Sequence, residues 1–198
     1  MLKIGITGGI GSGKTTVCKV FETLGIPVFY ADTVAKSIMV TDPLLIEGVK
    51  AAFGSLSYFE DGKLNNKHIA SIVFNDTERL AELNSLVHPA VFRAFDQWLL
   101  SLPGNPPYIL KEAALLFESD SYKMCDKSLL VIAPHQVKLD RVIARDAVTA
   151  DQVTARMDKQ FTDEQKLKLA DFFLYNNETL SVIAQVMELH QQFLQNKF

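Results

Sequence analysis

Cysteine is scarce in this chain: Cys18 and Cys125 are its only two among 198 residues, with no metal-like spacing between them. A disulfide framework and a zinc-type cluster are therefore not expected. Both residues read as reduced, packing thiols, with Cys18 half-buried on the first helix. Long apolar runs are missing too. No stretch approaches about 18 consecutive apolar residues, which argues against a membrane-spanning helix. The first residues run directly into an apolar segment, without a charged leader and cleavage site. The expectation is a cytoplasmic protein with no membrane partner. An excess of basic charge is also lacking. Lysine and arginine number 20 against 23 acids, for a net charge of −3 and a pI near 5.8. A nucleic-acid surface needs clustered Lys and Arg, so no such partner is expected. Internal repeats and low-complexity tracts do not occur, and no feature speaks to oligomeric state.

What the chain does have stands at its start. Residues 8–15 read Gly8-Gly9-Ile10-Gly11-Ser12-Gly13-Lys14-Thr15, a complete G-x-x-x-x-G-K-[ST] phosphate-binding loop. The apolar run before it (residues 2–7) reads as a short buried strand. After it, Val17, Val20, Phe21 and Leu24 recur at helical spacing. Strand, glycine loop and helix in that order are the context the motif requires. The glycines allow backbone N–H groups to point inward, and the helix adds the positive end of its dipole. Lys14 is expected to reach the β- and γ-phosphates of a nucleoside triphosphate, and the Thr15 hydroxyl to ligate Mg²⁺.

Further strand signals lie at 27–30, 108–110, 128–132 and 172–175. Each is short, continuous and apolar, as in parallel strands covered on both faces. With helical stretches between them, the pattern predicts an α/β fold built on a doubly wound parallel sheet. About eighty residues separate the second and third strands, far more than a crossover helix needs. That interval therefore holds an insertion. Residues 43–53, 67–74 and 77–86 look helical, Asp61-Gly62 marks a turn, and His88-Pro89 should break the run and open a new helix. Leu102-Pro103-Gly104-Asn105-Pro106-Pro107 is the clearest linker. Pro134 should open a helix to about Asp146. Thr149-x-x-Gln152 and Thr162-x-x-Gln165 fit capping boxes, and a last helix runs from about Leu180 to near the C-terminus.

Among residues that could carry chemistry, Asp32 follows the second strand at the sheet edge where α/β ligands gather. It could accept a proton from an attacking hydroxyl or hold a magnesium water, or simply N-cap the helix after it. Arg141 and Arg145 lie four apart on one helical face, after His135 and Lys138. They could close over a polyphosphate or merely solvate the helix. Arg156 is read in the same way. His88 could touch a ligand or only mark a helix junction. Glu112 and Glu118 flank an apolar segment beyond the third strand, and Glu112 could orient Mg²⁺ through water. The guanine-reading N-K-x-D pattern is not matched, since Asn66-Lys67 continues into His68-Ile69, and no D-x-x-G switch follows the third strand. A small transferase with a substrate insertion and an arginine lid fits these features best.

Several segments, taken in order, resemble the dephospho-CoA kinase family across essentially the whole chain. They are Ile6-Thr7-Gly8-Gly9-Ile10-Gly11-Ser12-Gly13-Lys14, Ala31-Asp32, Leu86-Val87-His88-Pro89-Ala90-Val91 with Arg93, and Leu115-Leu116-Phe117-Glu118. Arg141-x-x-x-Arg145-Asp146, Arg156-Met157-x-x-Gln160, Ala170-Asp171 and Asn176 complete the series. The resemblance implies a P-loop kinase that transfers the ATP γ-phosphate to the ribose 3′-hydroxyl of dephospho-CoA, with Mg²⁺. It implies a nucleotide-binding core (1–32, 108–133, 167–198), a helical CoA-substrate insertion (33–107) and a helical lid (134–166). By position, Asp32 takes the role of general base, with Lys14 and Arg141 as catalytic cations. Gly9, Gly11, Ser12, Gly13, Lys14, Thr15, Thr16, Arg145 and Asn176 fall to the nucleotide, with Thr15 on the metal. Asp32, His88, Arg93, Leu115, Phe117 and Glu118 fall to the acceptor. The chain departs from the family at three places: Glu112-Ala113-Ala114 replaces an Asp-Val-Pro-like stretch, Tyr175 and Glu178 stand where Asp and Gly are common, and Thr15 replaces Ser. Two alternatives stay open: another nucleotide or small-molecule kinase on the same frame, and an ATP-dependent regulatory module.

Overall fold

The computed structural model describes residues 1–74 and 76–195. Its centre is β1 (Leu2–Thr7), which pairs with parallel strands on both sides and is buried from Ile4 to Thr7. β2 (Val28–Tyr30), β3 (Tyr108–Glu112), β4 (Lys127–Ile132) and β5 (Phe172–Tyr175) complete a parallel sheet of order β2-β3-β1-β4-β5. One face is covered by α1 (Lys14–Thr23) and α9 (Val182–Gln195). There Val17, Phe21, Val186 and Phe193 meet Ile4, Tyr108 and Leu174 in one core. Phe21, Tyr108, Phe172 and Phe193 stack or meet edge to face at the middle of it.

β3 runs two residues beyond the expected 108–110. In sequence Glu112 reads as lying beyond the third strand. In the sheet the backbones of Lys111 and Glu112 pair with β1 on one side and β2 on the other, and both are buried. That pairing aligns Ile6, Tyr30 and Glu112 at the carboxyl edge of the sheet, the edge where open α/β folds bind ligands.

The chain divides into two compact units, Met1–Tyr30 with Leu102–Phe198, and Ala31–Ser101. The first carries the sheet, α1, α9, and three helices between β4 and β5: α6 (His135–Asp146), α7 (Ala150–Met157) and α8 (Asp163–Leu167). Thr149 and Thr162 begin α7 and α8 with the expected reciprocal capping boxes. α9 starts two residues later than expected, and its expected last residues, 196–198, lie outside the described ones.

The second unit is helical: α2 (Ala31–Thr41), α3 (Pro43–Phe53), α4 (Asn66–Val73) and α5 (Thr77–Ser101). Asp42 caps α3 through the N–H groups of Leu44 and Leu45, with Pro43 in the first turn. Met39, Val49, Phe53, Ile69 and Ala90 form its own core. The expected break at His88-Pro89 is not there, because α5 passes through Pro89 without interruption. An interior proline costs a helix roughly 3 kcal/mol. Burial of Leu83, Leu86 and Val87 before it and of Ala90, Val91 and Phe95 after it outweighs that cost. No helix among the described residues is long and apolar enough to cross a membrane.

Candidate active site

The phosphate loop leaves β1 at Thr7 and enters α1 at Lys14, with Gly13 as the N-cap. Two of its glycines are required by geometry. Gly11 has φ 81°, and a Cβ there would lie 2.3 Å from the Lys138 carbonyl oxygen. Gly13 has φ 90°, and its Cβ would lie 2.2 Å from Asn176 Nδ2. Both conformations are left-handed, and both positions are in backbone or amide contact that a side chain would break. The Ser12 N–H closes the turn on the Gly9 carbonyl at 3.0 Å. Lys14 is buried, and its ammonium donates to the carbonyls of Gly8 at 2.9 Å and Gly9 at 3.4 Å. The loop is held from outside by two amides: Gln160 Oε1 accepts the Ile10 N–H at 2.9 Å, and Asn176 Nδ2 donates to the Ser12 carbonyl at 2.9 Å.

Arg141, on α6, reaches the same loop. Its Nη2 donates to Asn176 Oδ1 at 3.3 Å and to Glu178 Oε1 at 3.4 Å. Its Nη1 is buried, lies 3.7 Å from the Cβ position of Gly13, and has no hydrogen-bond partner among the described residues. The same holds for the buried Ser12 hydroxyl. Burying donors in this way is unfavourable unless an acceptor joins them, and phosphate oxygens are acceptors of the right charge. Lys138, one turn before Arg141, pairs with Asp163 Oδ2 at 2.7 Å. Lys138 and Asp163 border a cleft of about 680 Å³ that is also lined by Gly9, His135, Met157 and Gln160.

The remaining expected residues divide. Thr15 and Thr16 are exposed in the first turn of α1. Arg145 is held at Asp146, by Nε at 2.7 Å and Nη2 at 3.1 Å. Arg156 joins the same carboxylate at 2.9 Å. The bond from Arg145 keeps the Asp146 carboxyl below its usual range. Glu118 takes the ammonium of the fully buried Lys166 at 3.0 Å and the Phe161 N–H at 2.8 Å. Lys166 also donates to the Ala114 carbonyl. Phe117 is buried and packs against Tyr122, whereas Leu115 is exposed. In the second unit, Asp32 lies within the first turn of α2, so it is not the N-cap considered for it; the helix has already begun at Ala31. There a carboxylate complements the helix dipole. Arg93 pairs with Asp42 at 2.7 Å, and the His88 ring stacks on Phe92.

Glu112, at the sheet edge, is buried. Burial pushes the Cys18 thiol well above its ordinary value, the Glu112 carboxylate adds to the rise, and Lys14 opposes it. Cys18 itself is fully buried rather than half-buried, because the opening turns of α1 press against the sheet. Lys138, Asp163 and Lys166 were not among the expected site residues. The signal for Lys138 was its place three residues before Arg141, on the same helical face. Nothing local marked its partner.

The sequence profile of the dephospho-CoA kinase family matches residues 2–181. The chain belongs to the dephospho-CoA kinase family. A curated dephospho-CoA kinase of Legionella pneumophila (strain Lens) is 39% identical over 192 residues, covering 96% of this chain and 94% of that one. Among solved structures, TT1252 of Thermus thermophilus superposes with a TM-score of 0.85 at 33% identity, over 96% of each chain. A dephospho-CoA kinase from Campylobacter jejuni superposes with a TM-score of 0.71 at 26% identity, over 99% of this chain and 98% of that one. The fold is that of a kinase of this family.

Proposed function

We propose that this chain transfers the γ-phosphate of ATP to the ribose 3′-hydroxyl of dephospho-CoA, giving coenzyme A and ADP. The observation that carries the reading is the placement at residues 8–13 of the Lys14 ammonium and of the buried Arg141 Nη1, which has no hydrogen-bond partner among the described residues, in a chain of this family. In this reading the sheet-bearing residues 1–32, 108–133 and 167–198 form the nucleotide core. Residues 134–166 act as the lid and residues 33–107 as the acceptor insertion. Asp32 takes the 3′-hydroxyl proton as that oxygen bonds to the γ-phosphorus, and the bond to the β,γ-bridging oxygen breaks to release ADP. Lys14 and Arg141 hold the equatorial oxygens as negative charge spreads over them. His88, Arg93, Leu115 and Phe117 take the acceptor side, and Arg145 and Asn176 the nucleotide side. Asn176 acts there by supporting the loop carbonyl at Ser12. Glu118, occupied by Lys166, serves the acceptor wall as an anchor.

The donor set suits Mg²⁺, which takes few protein ligands beside phosphate oxygens and water. The Thr15 hydroxyl and the buried Glu112 carboxylate are hard oxygen donors flanking the loop. Among the described residues no three His, Cys, Asp or Glu side chains cluster into a dedicated cage. Bound there with ATP, Mg²⁺ would neutralise the β- and γ-oxygens. The buried, unpaired state of Cys18 accords with a cytoplasmic setting.

The test is ADP release measured with dephospho-CoA, with AMP and with no acceptor. Turnover confined to dephospho-CoA is the expected result. Turnover with AMP would assign a different acceptor, and acceptor-independent hydrolysis alone would remove the transferase reading.

A further inference from the structure

Two ammonium groups meet at the first glycines of the phosphate loop. Lys14 Nζ sits on the carbonyls of Gly8 and Gly9. Lys138 Nζ lies 3.3 Å, and Asp163 Oδ1 3.5 Å, from the point a Cβ at Gly9 would occupy. The Lys138–Asp163 pair, at 2.7 Å, thus stands directly over the loop, with its two side chains only 11% and 25% exposed. Since Lys14 reaches the β- and γ-phosphates in such loops, an ammonium this near the same glycine would lie within reach of the terminal phosphate of a bound triphosphate. A carboxylate there cannot share the position with a phosphate oxygen without strong repulsion at partly buried distances.

We propose that Asp163 is a built-in competitor for the donor phosphate: its carboxylate holds Lys138 until the γ-phosphate of ATP displaces it, and Lys138 then becomes a γ-phosphate ligand. The inference rests on the ATP reading above. The asymmetry of the pair supports the direction of the exchange. Lys138 is fixed to the loop by its own backbone, whose carbonyl oxygen lies against Gly11. Asp163 is the first residue of α8, a helix anchored elsewhere by Lys166, so a side-chain rotation moves its carboxylate while the helix stays in place. Gln160 shows the same logic at the neighbouring amide, where its Oε1 takes the Ile10 N–H. The exchange favours triphosphate over diphosphate, because only the former brings an oxygen to Lys138.

The test is calorimetric titration of the full chain with MgATP and MgADP, in the wild type, Asp163→Asn, Asp163→Ser, Lys138→Met and Lys138→Met/Asp163→Asn. Thermal melts establish that each is folded, and Asp163→Ser serves if the amide variant is not. Removing the carboxylate should tighten ATP binding about fivefold to tenfold and ADP binding less, as expected for loss of one competing charge-assisted bond. Lys138→Met should weaken ATP binding about tenfold, and in the double variant the gain from Asp163→Asn should vanish. Unchanged or weaker ATP binding in folded Asp163 variants overturns the inference. So does a gain that persists without Lys138, which would mark a general charge effect. Failure of the wild type to bind ATP at all would instead overturn the donor reading on which it rests.

Discussion

At the scale of single residues, the ammonium of Lys14 and the guanidinium of Arg141 are bound to the frame of the loop they serve. Lys14 rests on the carbonyls of Gly8 and Gly9, and Arg141 is aligned by Asn176, which also holds the Ser12 carbonyl. Preorganised donors of this kind stabilise developing charge with little reorganisation. The general-base role proposed for Asp32 is a different task, and Asp32→Asn separates it from theirs: kcat should fall by roughly 10²–10⁴, as expected for loss of a general base, while the KM for ATP stays near wild type. Steady-state kinetics with both substrates varied checks this, and a near-wild-type kcat would strip Asp32 of the base role. Glu178 offers a second prediction. It stands in the left-handed region at φ 67°, where the family commonly has glycine, and its carboxylate draws on Arg141. Glu178→Gly should raise stability by about 1 kcal/mol, less the added entropy of the unfolded chain. It should also lower the KM for ATP. A reduced urea midpoint would show that the Arg141 contact outweighs the backbone strain.

At the scale of elements, the short helix α8 is pinned by a buried ion pair. Lys166 is fully buried against Glu118, whose second oxygen is buried without a hydrogen-bond partner among the described residues. Removing one partner of such a pair leaves a charge unpaired in the interior, which costs about 3–5 kcal/mol. Lys166→Met should lose that much in denaturant titration, and adding Glu118→Gln should restore part of it. Equal loss in both variants would mean that Lys166 acts by packing alone. β4 and β5 are joined at their starts by Asp171, which accepts from the Ser128 N–H and hydroxyl, each at 2.8 Å, and from Lys127. Burial pushes the Asp171 carboxyl up, but these donors outweigh it and hold the group below its usual range. A depressed carboxylate adds stability that is complete above its unfolded value, near 3.9, and is lost as pH falls through the lower folded one. Asp171→Asn should therefore be less stable at pH 7 and lose less than the wild type on acidification below about pH 5. Parallel acid-titration curves for the two proteins would remove that assignment.

Legibility in the sequence follows from how local each cause is. The loop glycines, the capping boxes at Thr149 and Thr162 and the apolar strands are dictated by neighbours along the chain, and they stand where the sequence puts them. Pro89 inside α5 and the continuation of β3 through Lys111 and Glu112 depend on burial and pairing from distant segments. Residue-by-residue propensity points the other way in both cases. The Lys138–Asp163 and Lys166–Glu118 pairs join residues 25 and 48 positions apart. No periodicity carries such information, so these parts of the site had to be seen in the fold.

For the whole molecule, a net charge of −3 is set against two polyanionic substrates. In the proposed reading, binding comes from local clustering of Lys14, Lys138 and Arg141 rather than from an overall attractive field. The clustering lies in the sheet-bearing unit, while Asp32, His88 and Arg93 belong to the helical unit of Ala31–Ser101. The transfer itself is the event that joins the two groups of residues in the proposed function. Phosphorus NMR of a reaction with ATP and dephospho-CoA measures it most directly. A ribose 3′-phosphomonoester resonance should grow in step with ADP in the wild type and be lost with Lys14→Ala. ADP formed without that resonance, or an undiminished signal from Lys14→Ala, would contradict it.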